Sequence, residues 1–268
     1  MRLSVVIPWC NRLELGRSLS ENASQLQQPG IEVLVVNGGG RRLDLEGISK
    51  DHGWPRLRIV HAPTTAFNKP ECLNLGVAFA RANLIFVLDA DVILTGAFVQ
   101  KAISAVSNDA NFFVSVAKVI ESAPEKVPHR WNRNAAVLER RITTRITTPT
   151  GTTATVVHSV TREGTRTGPG LIVVGRKQFI AAGGFNSNLT GWGFEDYDFQ
   201  IRLQLRLGLK RKTFGRAIHL SHENVDGRAT DYRNQRICYE NYDRGLFTGT
   251  YRADIKRLKP HAVATRSA

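Results

Sequence analysis

The sequence is poor in cysteine, methionine and negative charge. Its 268 residues include three cysteines and a single methionine. Cys10, Cys72 and Cys238 lie far apart, and no CxxC pair occurs. That excludes a disulfide framework and a cysteine zinc ribbon, and it fits a reducing compartment. No apolar run reaches the roughly 18 residues that a membrane span needs. Residues 1–8 run straight into an apolar strand, without a cleavable leader pattern. These absences predict a cytoplasmic protein. Acidic residues number 23 against 37 Lys and Arg, a net charge of +14. Such a balance attracts nucleic acid, an anionic membrane face or an anionic substrate. The basic residues are dispersed, with Arg140-Arg141 and Lys210-Arg211-Lys212 the densest clusters. There is no basic helix with interleaved aromatics and no zinc-finger or RNP pattern. Nucleic acid is therefore not an expected partner.

What is present is an ordinary globular composition, 42% hydrophobic and 22% charged. The length suffices for one large α/β domain or two abutting halves. Apolar runs at residues 4–7, 32–36, 57–60 and 84–88 alternate with helical stretches at 11–27 and 68–82. Asn68 is placed to cap the second helix, with Pro70 in its first turn. Uninterrupted apolar strands separated by helices predict a mostly parallel central sheet, helices on both faces. Ligands bind such sheets beyond the carboxyl ends of the strands. Those ends carry Pro8 to Arg12, Asn37-Gly38 and Asp89-Ala90-Asp91.

Past Asp91 the pattern changes. A helix over 95–106 precedes a strand over 112–120. The polar Thr/Arg/Gly-rich stretch 141–170 reads as a mobile loop or hairpin. A strand over 171–174 and a short helix over 177–182 follow, the latter closed by Gly183-Gly184. Residues 199–207 alternate like a strand. Yet Glu195, Asp196 and Asp198 stand where a helix start favours negative charge, with Arg206 near the end and Gly208 as a stop. Those signals predict a helix.

Three constellations bear chemistry. Asp89-Ala90-Asp91 follows a strand directly, and two carboxylates one residue apart suit a hard divalent cation or a ribose hydroxyl. Gly191-Trp192-Gly193-Phe194-Glu195-Asp196-Tyr197-Asp198 sets three carboxylates and an indole among glycines. A Trp face stacks on a sugar ring, and a carboxylate can act as general base. The alternative is an acidic helix start that stabilises its own dipole. His219-Leu220-Ser221-His222 offers imidazoles that Mn²⁺ accepts beside carboxylates. Its alternative is one core and one surface histidine.

Taken with Val5-Val6-Ile7-Pro8-Trp9-Cys10-Asn11-Arg12, Phe67-Asn68-Lys69, Leu73-Asn74-Leu75-Gly76, Phe86-Val87-Leu88-Asp89-Ala90-Asp91 and Gly183-Gly184-Phe185-Asn186, these motifs resemble a known family. The chain resembles inverting glycosyltransferases of the GT-A fold, family 2 type. Its second half is similar to the C-terminal domain of β-1,4-galactosyltransferases. The resemblance implies a nucleotide-sugar-binding half at residues 1–94 and an acceptor-binding, catalytic half at 95–228. Residues 229–268 would form a C-terminal helical extension and tail. It implies that Pro8, Arg12, Asn37, Asn68, Lys69, Asp89 and Ala90 line the nucleotide sugar. Asp91, His222 and His219 would hold Mn²⁺ or Mg²⁺, with Asp89 at the metal or the ribose. Trp192 and Gly193 would lie against the acceptor sugar, Glu195 would hold sugar hydroxyls, and Asp196 would be the general base.

Three departures stand out: Cys10 replaces an arginine, Phe194 replaces a glycine, and Asn37-Gly38 lacks a double aspartate. An Asn oxygen can still accept the uracil N3–H, so a UDP-sugar is the expected donor. The implied reaction passes a hexose or N-acetylhexosamine, of galactose or N-acetylgalactosamine type, to a hydroxyl of a glycan or lipid-linked glycan. Polysaccharide biosynthesis at the inner membrane face, through peripheral contact, is the implied setting. The rival readings are a nucleotidyltransferase, a basic nucleic-acid or membrane-surface binder without catalysis, and a lectin. The first needs a glycine-rich loop after the first strand, and Pro8-Trp9-Cys10-Asn11-Arg12 has none.

Overall fold

The computed structural model describes residues 1–51, 54, 57–123, 139–161, 163–191, 193–222 and 228–266. Four parallel strands come first: β1 (Leu3–Trp9), β2 (Ile31–Asn37), β3 (Leu57–His61) and β4 (Leu84–Val87). They lie in the order β3-β2-β1-β4, joined through α1 (Glu14–Leu26), α2 (Arg42–Asp51) and α3 (Lys69–Phe79). Their Leu/Ile/Val runs are buried on both faces, as crossover-connected parallel strands require.

The strand β1 outruns the apolar run 4–7 and continues through Pro8 to Trp9. The Val6 carbonyl accepts from Leu88 N at 3.1 Å, so Val6 directs its polar groups toward β4. Alternation aims the Pro8 nitrogen the same way, and β4 pairing has ended by then, at Val6 opposite Val87. The missing N–H therefore costs no ladder bond.

The second half of the sheet is mixed. After β5 (Val92–Leu94) and α4 (Phe98–Asn108) come β6 (Phe112–Glu121), β7 (Glu139–Thr147), β8 (Thr153–Thr161) and β9 (Thr165–Gly175). Strand β9 fits between β4 and β6, antiparallel to both. It can run that way because hairpins precede it instead of a crossover helix. Of the two readings of 141–170, the mobile loop is thus overturned. Strands β7 and β8 pair along nine positions, and β8 leads into β9. Threonine and valine suit a pleated, half-exposed ribbon.

Then follow α5 (Arg176–Ala181), α6 (Glu195–Leu207) and β10 (Lys210–His219), which is parallel to β6 and antiparallel to β5. Residues 229–268 contribute most of α7 (Arg228–Asp243), then α8 (Tyr251–Leu258) and β11 (Val263–Arg266). Strand β11 returns to the sheet beside β3. Odd and even positions of β1 bury into separate cores. Leu3, Val5, Ile7 and Trp9 meet α1, α2 and α4, whereas Val6 meets α3, α5, α6 and α8. A third core holds the hairpin against the outer side of α6 and α7. Among the described residues no helix is long and apolar enough to cross a membrane.

Candidate active site

Two clusters of charged side chains form where the sheet's strand ends meet α3 and α6. The turn Asp89-Ala90-Asp91, between β4 and β5, joins them. Register builds the first. Strand β10 ends with His219 opposite Val92 of β5, which sets it beside Asp91. His222 follows three residues on. His222 Nε2 lies 3.1 Å from Asp91 Oδ2, and His219 Nε2 lies 3.6 Å from Asp91 Oδ1. One ligand atom from each of Asp91, His219 and His222 lies within 4.8 Å of the others. Burial alone would raise the Asp91 carboxyl, but bonds from both imidazoles drive it well below the usual carboxylate range. Burial pushes His219 down, and its bonds to Asp91 and Glu121 reverse this and lift it to about 9.

The second cluster centres on Lys69, the first residue of α3. Its Nζ stands 3.1 Å from Asp89 Oδ1, 3.4 Å from Glu195 Oε1 and 3.2 Å from Asp196 Oδ2. Helix α6 opens with Glu195 and Asp196, where a helix start favours negative charge. Phe194 precedes it in the left-handed region, φ 69°, with its ring tilted against Tyr197 and edge-on to Tyr239. Asp196 packs against Gly170 of β9, where a Cβ would collide with its carboxylate. Burial raises the Asp196 carboxyl to about 7; Lys69 opposes the rise, while Glu195 and Asp89 add to it. Burial lowers Lys69, yet Asp196, Asp89 and Glu195 together hold it well above its ordinary value. A carboxylate poised near neutrality on a helix start can take a proton from a bound hydroxyl.

The expected residues divide accordingly. Asp91, His219 and His222 come together, and so do Lys69, Asp89, Glu195 and Asp196. Asp89 turns to Lys69 and stands outside the Asp91–histidine group. Asp198, the third carboxylate of its motif, belongs to the core, bonded to Arg202 at 2.7 Å and Tyr242 at 2.8 Å. Asn68 caps α3, accepting from Glu71 N, and donates to the Ser187 carbonyl. Asn37 does not present its oxygen outward for uracil. Its side chain is 3% exposed, accepts from Gly40 N at 2.7 Å and donates to the Gly40 carbonyl. The side-chain amide thus closes a turn on the backbone three residues on. Pro8 and Ala90 are buried, leaving mainly backbone to offer. Arg12 accepts the Trp9 indole on its carbonyl. Gly193, φ 101°, lies against Asp231 of α7, and Trp192 lies outside the described residues. The sequence reading missed Glu121 and Arg166. Glu121 holds His219 Nδ1 at 2.6 Å and Arg166 Nε at 3.0 Å, and neither residue stands in a motif.

The family model described as "Glycosyltransferase like family 2" matches residues 4–234. No curated protein matches the sequence. Among solved structures, the chain is similar to "GalNAc-T7 with UDP, GalNAc and Mn2+", with a TM-score of 0.61 and 15% identity. The likeness covers 90% of this chain and 48% of that one, so this chain spans about half the neighbour's length.

Proposed function

The chain belongs to glycosyltransferase-like family 2, and from that premise we propose that it transfers a sugar from a UDP-sugar to a carbohydrate hydroxyl with inversion. Its fold is the GT-A fold expected from the sequence. The observation that carries the reading is the Asp89-Ala90-Asp91 turn. It sets a carboxylate–imidazole group and the Lys69 carboxylate cluster within two residues of each other. Consecutive Cα atoms are about 3.8 Å apart, which keeps the backbone positions that carry the two groups close together.

One carboxylate with two imidazoles suits Mn²⁺ better than Mg²⁺, which prefers oxygen ligands. Held by Asp91, His219 and His222, such an ion would spread the charge that builds on a diphosphate leaving group. The neighbour's own Mn²⁺, UDP and GalNAc support this choice of donor and ion. Asp196 acts as general base. It takes the proton of the acceptor hydroxyl as that oxygen bonds to the anomeric carbon. The bond from that carbon to the diphosphate oxygen breaks on the opposite face, so the configuration inverts. Lys69 holds the Asp196 carboxylate in place, and Glu195 is set beside it to meet sugar hydroxyls. Galactose or N-acetylgalactosamine is the favoured sugar. The acceptor is a glycan or lipid-linked glycan, met in the cytoplasm at the inner membrane face, where the +14 charge favours anionic lipid.

A screen of UDP-sugars with Mn²⁺, reading sugar transfer or hydrolysis, tests the proposal. Asp196→Asn should lower kcat by about 10²–10⁴ while UDP binding stays nearly unchanged. Full activity in that variant would place the base elsewhere.

A further inference from the structure

Glu121 belongs to the site by contact, but the reaction above gives it no role. It ends β6 directly opposite His219 in the parallel β6–β10 register. Its Oε2 accepts from His219 Nδ1 at 2.6 Å and from Ser221 Oγ at 3.0 Å. Its Oε1 accepts from Arg166 Nε at 3.0 Å. The side chain is 5% exposed, so water does not compete for these bonds.

We propose that Glu121 is a positioning residue for the metal site, holding His219 by Nδ1–H so that Nε2 is the ligand atom beside Asp91. Only an unprotonated imidazole nitrogen binds a metal, and the bond made by the other nitrogen decides which one that is. With Nδ1–H tied to Glu121, the ring directs Nε2 toward Asp91 Oδ1, 3.6 Å away. Flipping the ring would break the 2.6 Å bond and aim Nδ1 elsewhere. The carboxylate is itself held on both oxygens, by Ser221 from beyond β10 and by Arg166 from β9. Those three donors occupy Glu121, and it stands outside the Asp91–His219–His222 group. Its part is therefore orientation and not ligation.

This inference rests on the metal reading, and the experiment separates the two. Mn²⁺ is titrated into the full chain and free Mn²⁺ is read by electron paramagnetic resonance, for wild type, Glu121→Gln, His219→Ala, the double variant and His222→Ala. Glu121→Gln should weaken Mn²⁺ binding about 10–100-fold in the wild-type background. In the His219→Ala background it should change binding by less than about twofold, because two residues acting through one bond are not additive. Equal losses in both backgrounds would overturn the proposal, since Glu121 would then act on the fold and not through His219. Unchanged binding in Glu121→Gln would overturn it too. Failure of the metal reading has a different signature, namely wild type and His222→Ala binding Mn²⁺ alike, and it takes the inference with it. If Glu121→Gln folds poorly, Ser221→Ala removes one donor to the same oxygen. It should weaken Mn²⁺ binding only when His219 is present, and any other pattern counts against the role.

Discussion

At the scale of the residue, Lys69 is what holds the carboxylate cluster together. Three carboxylates that face one another without a cation would repel, and each would hold its proton more tightly. Lys69 keeps Asp89, Glu195 and Asp196 together, with Nζ within 3.4 Å of each. Even so, burial lifts the Asp196 carboxyl to about 7. In the proposed reaction the base-competent form is the carboxylate, present above that value and lost as pH falls through it. kcat/KM should therefore fall on the acid side with an apparent pKa near 7. Lys69→Met removes the cation that favours the carboxylate, so the limb should move to higher pH by about 1 unit or more. The pH–rate profiles of the two proteins check this, and a limb that stays in place would mean that another group titrates. The family resemblance implies that Lys69 is a nucleotide neighbour. The sequence cannot name that lysine's carboxylate partners, because Asp196 is 127 residues away and only the fold brings them together.

At the scale of the element, α3 carries Lys69 and must lie close on the sheet. Gly76 permits this, since a Cβ there would overlap the methyls of Val6 in β1 and Val36 in β2. Helix propensity alone favours alanine over glycine by about 1 kcal/mol. Overpacking a rigid β-branched core costs about 1–3 kcal/mol and should win. Gly76→Ala should thus lower the midpoint of urea unfolding, and a raised midpoint would show that α3 sits less tightly. Elements differ in how plainly the sequence declares them. Strands β1 to β4 are apolar runs because both of their faces are buried. Helix α6 is legible from its charged start and its Gly208 stop, despite alternation along Phe199 to Leu207. Strand β10 is hidden, since Lys-Arg-Lys-Thr-Phe-Gly-Arg keeps much of its length half or fully exposed. Hairpin β7–β8 is legible only as one of two readings, because its composition suits loops and exposed ribbons alike. Asp91, His219, His222 and Asp196 were legible from motifs. Glu121 was not, since its partner lies 98 residues on and no local pattern marks the pair.

At the scale of the molecule, the chain's end secures its beginning. Strand β11 pairs with β3, and α8 packs on α3, so residues far past α6 hold the helix that carries Lys69. The joint is a buried network around Asp254, which is 3% exposed. Asp254 accepts from Asn74 Nδ2 of α3 at 2.7 Å, from Ser187 Oγ at 2.9 Å and from Thr250 Oγ1 at 2.8 Å. Asn74 in turn bonds the backbone of Phe185 in both directions, which ties α3 to the loop ahead of α6. One carboxylate thereby links three stretches, and two of them lead to Lys69 and to Glu195-Asp196. Asp254→Ala leaves several buried donors without an acceptor and should cost about 2–3 kcal/mol. The loss should also reach the chemistry, because Lys69 and Asp196 meet at 3.2 Å only if α3 and α6 keep their places. At temperatures where circular dichroism shows Asp254→Ala fully folded, kcat for sugar transfer should fall. An unchanged kcat beside a lowered unfolding midpoint would confine α8 to closing the fold, and the site would then be set by α3 and α6 alone.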